Sequence, residues 1–79
     1  MSEQYDNALF CETGRALYGE RWQTALATDL AMTVRHVQRL AAGTAPVRQG
    51  IYRDLAAVAR SRATTLAAIA QSLDDAADA

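Results

Sequence analysis

Arg35 and Gln38 stand in the segment Thr33-Val34-Arg35-His36-Val37-Gln38-Arg39-Leu40, where both side chains can form paired hydrogen bonds. A guanidinium can donate twice to the O6 and N7 of guanine. A carboxamide can donate to N7 and accept from N6 of adenine, and the side chains of Thr33 and Val34 offer methyl groups to a thymine methyl. On one helix, Thr33, Val34, Arg35 and Gln38 occupy the first turn and the next outward position. That is the chemistry of base reading in a DNA major groove. By itself, such a face is also an ordinary solvated helix surface. Phosphate oxygens would be met by flanking groups: Gln23, His36, Arg39, Thr44, Arg48 and Tyr52. Gln23 at the opening of the second helix and Arg48-Gln49-Gly50 at the start of the fourth suit this role because helix N-termini present free N–H groups and positive dipole ends. Ordinary surface pairing of Arg48 or Arg53 with Asp54 or an acid of the tail is the competing reading.

Such a face needs a helix held across another helix. Leu26, Ala27 and Leu30 form the apolar side of a short helix expected over Arg21–Leu30. Ala31-Met32 interrupts it, and Thr33 is a good N-cap for a second helix over Val34–Ala42. Val37 and Leu40 give that helix an inward side, and Gly43 stops it. Leu26, Ala27, Leu30, Met32, Val37 and Leu40 are thus the expected core of a helix-turn-helix unit. Ala27 is the small residue that lets the two backbones approach.

Trp22-Gln23, Leu26-Ala27, Leu30, Met32-Thr33, Val37, Arg39-Leu40 and Gly43 together resemble the Cro/C1-type helix-turn-helix regulators of phages and mobile elements. The resemblance runs from about Leu17 to Leu55. It departs from the pattern at Ala31, where many members carry glycine, and at Leu40, where close relatives often carry tryptophan. It implies a small lambda-repressor-like fold and sequence-specific binding of double-stranded DNA. A repressor is expected, one that autoregulates a phage or anti-CRISPR-type operon. Two copies would then enter successive major grooves about 34 Å apart on an inverted-repeat operator.

Charge distribution supports a basic patch. The net charge of the 79-residue chain is −1. All eight basic residues are arginines between Arg15 and Arg62, a window holding three acids and a balance of +5, while the remainder carries −6. Alanine-rich composition, a single proline (Pro46) and no sustained period-two pattern predict an all-α domain of four helices. Residues 1–5 are expected to fray. A first helix is expected within Asp6–Tyr18, with Leu9, Phe10 and Leu17 inward and Gly19 as its stop. Gly14 weakens its middle, so a late start capped by Thr13 is open. Thr44–Val47 reads as a loop.

The fourth helix is expected from Arg48 to Leu73, with a bend near Ser61 left open, followed by a disordered acidic tail over 74–79. Its stripe of Ile51, Leu55, Val58, Leu66, Ile69 and Leu73 outruns what three short helices can cover. Leu66, Ile69 and Leu73 are therefore expected to form a homodimer interface, the alternative being the return of a helical hairpin. Arg60 and Arg62 are assigned to the surface or the dimer seam. Trp22 is expected as a core anchor and Tyr18 as packing.

No catalytic constellation is visible. Cys11 and His36 lack a third orienting group, no Cys-His spacing forms a metal site, and the four glycines are scattered. An enzyme, a cofactor and a small-molecule ligand are not expected. No transmembrane run or signal peptide is read, and a lone cysteine fits a reducing compartment, so a cytoplasmic location is expected. The rival functional reading is a helical protein-interaction module, such as an antitoxin or a phage-encoded inhibitor.

Overall fold

A computed structural model of the chain describes residues 4–79. Four helices follow one another: α1 (Ala8–Tyr18), α2 (Trp22–Asp29), α3 (Val34–Ala42) and α4 (Gln49–Ala77). No strand occurs among the described residues. The helices α1, α2 and α3 pack on one another, and α1 also packs on the first half of α4. The second half of α4 extends away, giving overall dimensions of 61 × 22 × 20 Å.

One apolar cluster holds the head together. Phe10, Trp22, Leu26, Ala27, Val37, Leu40, Ala45 and Leu55 are buried, with Leu30, Met32, Val47, Ile51 and Tyr52 packed against them. Leu30 and Met32 are half-buried, at the edge of the core. Of the apolar residues expected inward on α1, only Phe10 is fully buried. Leu17 is half-buried and Leu9 is 58% exposed. The buried counterpart of Phe10 on α1 is Gly14, four residues on. A Cβ at Gly14 would lie 2.1 Å from Cε3 of Trp22, so the glycine is the seat of the indole. Trp22 in turn meets Phe10 edge-on, with ring centroids 5.5 Å apart.

The ends of the chain depart from the sequence expectation. Of residues 1–5, expected to fray, Met1, Ser2 and Glu3 lie outside the described residues. Gln4 and Tyr5 are tied down: the Tyr5 N–H donates to the Gly43 carbonyl at 2.9 Å. Helix α1 starts early, at Ala8, whose N–H is accepted by Asp6 Oδ1 at 3.1 Å. Thr13 therefore caps nothing; its hydroxyl donates back to the Leu9 carbonyl at 2.7 Å.

Helix α4 continues through Ser61 and includes most of the expected tail, ending at Ala77. Nothing from Ala63 to Ala79 is glycine or proline, so no residue type stops it. Gln71 donates to Asp75 at 3.0 Å, one turn along.

Candidate nucleic-acid interface

Helices α2 and α3 are joined by a turn whose geometry is set by Ala31. Its φ is 54°, the left-handed region that an alanine enters at a cost of about 1 kcal/mol relative to glycine. Two backbone bonds close the turn: Ala31 N–H to the Thr28 carbonyl at 3.2 Å and Met32 N–H to the Ala27 carbonyl at 2.8 Å. This is the Schellman pattern. The end of α3 repeats it, with Gly43 at φ 78°. There the Gly43 N–H donates to Leu40 and the Thr44 N–H to Arg39. Glycine therefore occupies one of the two equivalent positions and alanine the other. Ala31→Gly is expected to raise stability by about 0.5–1 kcal/mol, because relieved strain exceeds the added freedom of the unfolded chain. Thermal unfolding checks this; an unchanged or lower midpoint would mean that Ala31 is unstrained.

Thr33 supplies the start of α3. Its backbone is extended (φ −73°, ψ 149°) and its Oγ1 accepts from the His36 N–H at 3.1 Å. From there the helix has two unlike sides. Val37 and Leu40 are fully buried. Thr33, Val34, Arg35, Gln38 and Arg39 are exposed, while His36 is half-buried. The four residues expected to face bases are thus all on the open surface. From Leu30 to Arg53 the chain holds no acid and carries four arginines, Arg35, Arg39, Arg48 and Arg53. Its flanking acids are Asp29 and Asp54.

The expected phosphate contacts divide into two groups. Arg39 and Arg48 are exposed. Gln23 is half-buried in the first turn of α2, and neither α2 nor α4 has a side-chain cap at its N-terminus. Free N–H groups are therefore left at both ends. Tyr52 is half-buried against the core. Thr44 is exposed, and its hydroxyl donates to the Arg39 carbonyl at 3.1 Å. It serves to hold the loop against the end of α3.

A second device at this end of α3 was missed by sequence reasoning. Asn7 donates its amide to the Ala41 carbonyl, and Cys11 Sγ approaches the same oxygen at 3.6 Å. Gln4 Nε2 reaches the Ala42 carbonyl at 3.5 Å. The segment before α1 thus satisfies carbonyls that α3 leaves unpaired. Asn7 stands at the N-cap position of α1, yet its side chain makes no cap bond to its own helix.

Arg62 lies on the surface, as expected, with its side chain 46% exposed, and there forms a clasp within one chain. It pairs with Asp29 at 3.3 Å and lies 5.1 Å from the centroid of the Tyr18 ring. The Tyr18 hydroxyl donates to the same carboxylate. Burial raises the Tyr18 pKa first. Its bond to Asp29 and that carboxylate's charge raise it further against the opposing pull of Arg62, and together they push it up to about 12 from its ordinary 10.0. A raised acid pKa means that the folded state favours the neutral phenol. This contribution is complete below pH 10 and is lost as pH rises through about 12. Tyr18→Phe is expected to remove that alkaline loss, measured as the pH dependence of urea midpoints; an unchanged slope would assign it to other groups.

Among the described residues, no group of three or more His, Cys, Asp or Glu side chains is placed to hold a metal, and no helix is long and apolar enough to cross a membrane. Comparison with known proteins gave no matching family model, no matching curated protein and no matching solved structure.

Proposed function

We propose that the chain is a sequence-specific double-stranded DNA-binding regulator of the Cro/C1 type, with α3 as the major-groove reader, and that it represses by occupying its operator. One observation carries this reading. The solvent side of α3 presents Arg35, Gln38 and Arg39 from a helix anchored on its other side by Val37 and Leu40, within a segment free of acids. A polar helix face that only solvates a small protein has no need of a one-signed surround, whereas a polyanion selects for it. In this reading Thr33, Val34, Arg35 and Gln38 meet base edges. Gln23, His36, Arg39, Thr44, Arg48 and Tyr52 position the protein on the phosphates. The protein acts as a homodimer on an inverted repeat, as a cytoplasmic factor without cofactor.

Fluorescence anisotropy on the DNA upstream of its own gene and on a scrambled duplex, repeated across salt, tests the proposal. Selective binding with a steep salt dependence is expected. Equal, weak binding to both duplexes would overturn it and favour a protein partner instead.

A further inference from the structure

The uncovered half of α4 continues a seam already in use. Leu55, Ala59, Arg62, Leu66, Ile69 and Leu73 alternate at spacings of four and three, the repeat that keeps one side of a helix against a neighbouring helix. Leu55 is buried, Ala59 is half-buried against α1, and Arg62 closes over Tyr18. From the end of α1, whose Ala16 and Leu17 border one side of Leu66 and Ile69, the same seam lies largely open, with Leu66, Ile69 and Leu73 at 62%, 48% and 64% exposure. The protruding helix is also polarised. Arg53, Arg60 and Arg62 lie in its first half against one acid, Asp54, and Asp74, Asp75 and the C-cap Asp78 lie at its end.

We infer that a second copy of this chain covers the bare seam in antiparallel orientation, with the two-fold axis close to Ile69. This arrangement is self-complementary in both respects that matter. The apolar stretch from Leu66 to Leu73 meets itself, and the acidic end of each α4 runs alongside Arg60 of the other, Arg62 being taken up by Asp29 of its own chain. Helices in contact lie about 8–10 Å apart, within the Debye length of about 10 Å at 0.1 M salt. Parallel pairing would set three carboxylates of one copy beside three of the other. An isologous interface needs a surface that complements itself under a two-fold axis, and the opposed charges of α4 provide one.

The geometry has a consequence for the operator, which rests on the proposed DNA-binding function. Twenty residues separate Gln49 from Ile69, which at 1.5 Å each is ~30 Å. The two heads therefore sit on opposite sides of the axis, with the starts of the two α4 helices roughly 60 Å apart. One turn of DNA spans about 34–36 Å and two turns about twice that. This separation is nearer to two turns than to one, so the dimer is expected to prefer half-sites centred two turns apart, not one as the sequence resemblance implies.

Pulsed electron spin resonance on the DNA-free full chain tests the pairing, with a spin label at Ala57→Cys in a Cys11→Ser background. Antiparallel pairing predicts a label separation of roughly 35 Å from the helix rise, together with a dimer by sedimentation. The double variant Leu66→Glu/Ile69→Glu, altered only at exposed positions, is expected to weaken the dimer by more than ~100-fold with an unchanged circular dichroism spectrum. A separation below roughly 20 Å, as expected when parallel helices pack side by side, would overturn the orientation. A monomer at the labelled concentration would overturn the dimer. Binding to half-sites two turns apart, in preference to one, is the operator outcome. If no duplex binds selectively while the spin-label distance holds, the DNA-binding reading fails and the pairing stands.

Discussion

Gly14→Ala is expected to destabilise the domain by about 2 kcal/mol, against the prediction of helix propensity. In the middle of an exposed helix, alanine is about 1 kcal/mol better than glycine. At Gly14 the added methyl would stand 2.1 Å from Cε3, 2.5 Å from Cδ2 and 2.7 Å from Cζ3 of Trp22. These are atoms of the ring itself, and the ring is 3% exposed and wedged edge-on against Phe10. It has no flexible end that could move aside, so α1 and α2 must separate. Overpacking of this kind typically costs about 1–3 kcal/mol and at times more, and a 2.1 Å approach belongs at the upper end. A net loss of about 2 kcal/mol lowers the melting temperature of a domain this size by roughly 8–16 °C. Thermal unfolding by circular dichroism reads it. The same substitution in a Trp22→Leu background should cost much less, because the two sites are directly coupled. A Gly14→Ala midpoint at or above that of the parent would mean that the indole does not rest on Gly14.

That glycine also shows what the sequence can and cannot convey. Helix α3 is legible at its ends because its signals are local. Thr33 caps the His36 N–H three residues on, and Gly43 takes the left-handed turn that ends the helix. The expected bounds and the observed bounds, Val34–Ala42, coincide. The inward pair Val37 and Leu40 is likewise set by helical period alone. Gly14 carries no such signal, since its reason is the ring of Trp22, eight residues away on another helix. Asn7 is harder still, as its partner Ala41 lies 34 residues on. The end of α4 was misread for the opposite reason. Asp74 and Asp75 suggest a solvated tail by composition, whereas the backbone needs only an uninterrupted run of tolerant residues to continue as helix. Which residues of the exposed α3 surface meet a base is not a matter of fold at all. It depends on a partner, and only binding measurements address it.

Arg35→Ala is expected to relax discrimination between operator and scrambled DNA at one or two base pairs. A bidentate arginine–guanine contact is worth about 1–3 kcal/mol, hence roughly a 5- to 150-fold loss on the operator. The loss should be confined to the cognate sequence, because a phosphate contact would be felt on every duplex. Gln38→Ala is expected to act in the same way at a different base pair. Arg48→Ala provides the contrast. Arg48 is exposed at the uncapped start of α4 and is assigned to a phosphate. Its removal should weaken binding to both duplexes alike and reduce the slope of log K against log salt by about 0.9. Fold stability should be unaffected in all three variants, since all three side chains are exposed, Arg48 makes no side-chain capping bond, and such surface substitutions usually fall within about 0.5 kcal/mol. The two signatures separate cleanly on one titration series. If Arg35→Ala lowers affinity equally for both duplexes and flattens the salt slope, Arg35 is a phosphate contact and the reading face of α3 is rotated from the one assigned. If it changes neither, α3 does not enter the groove.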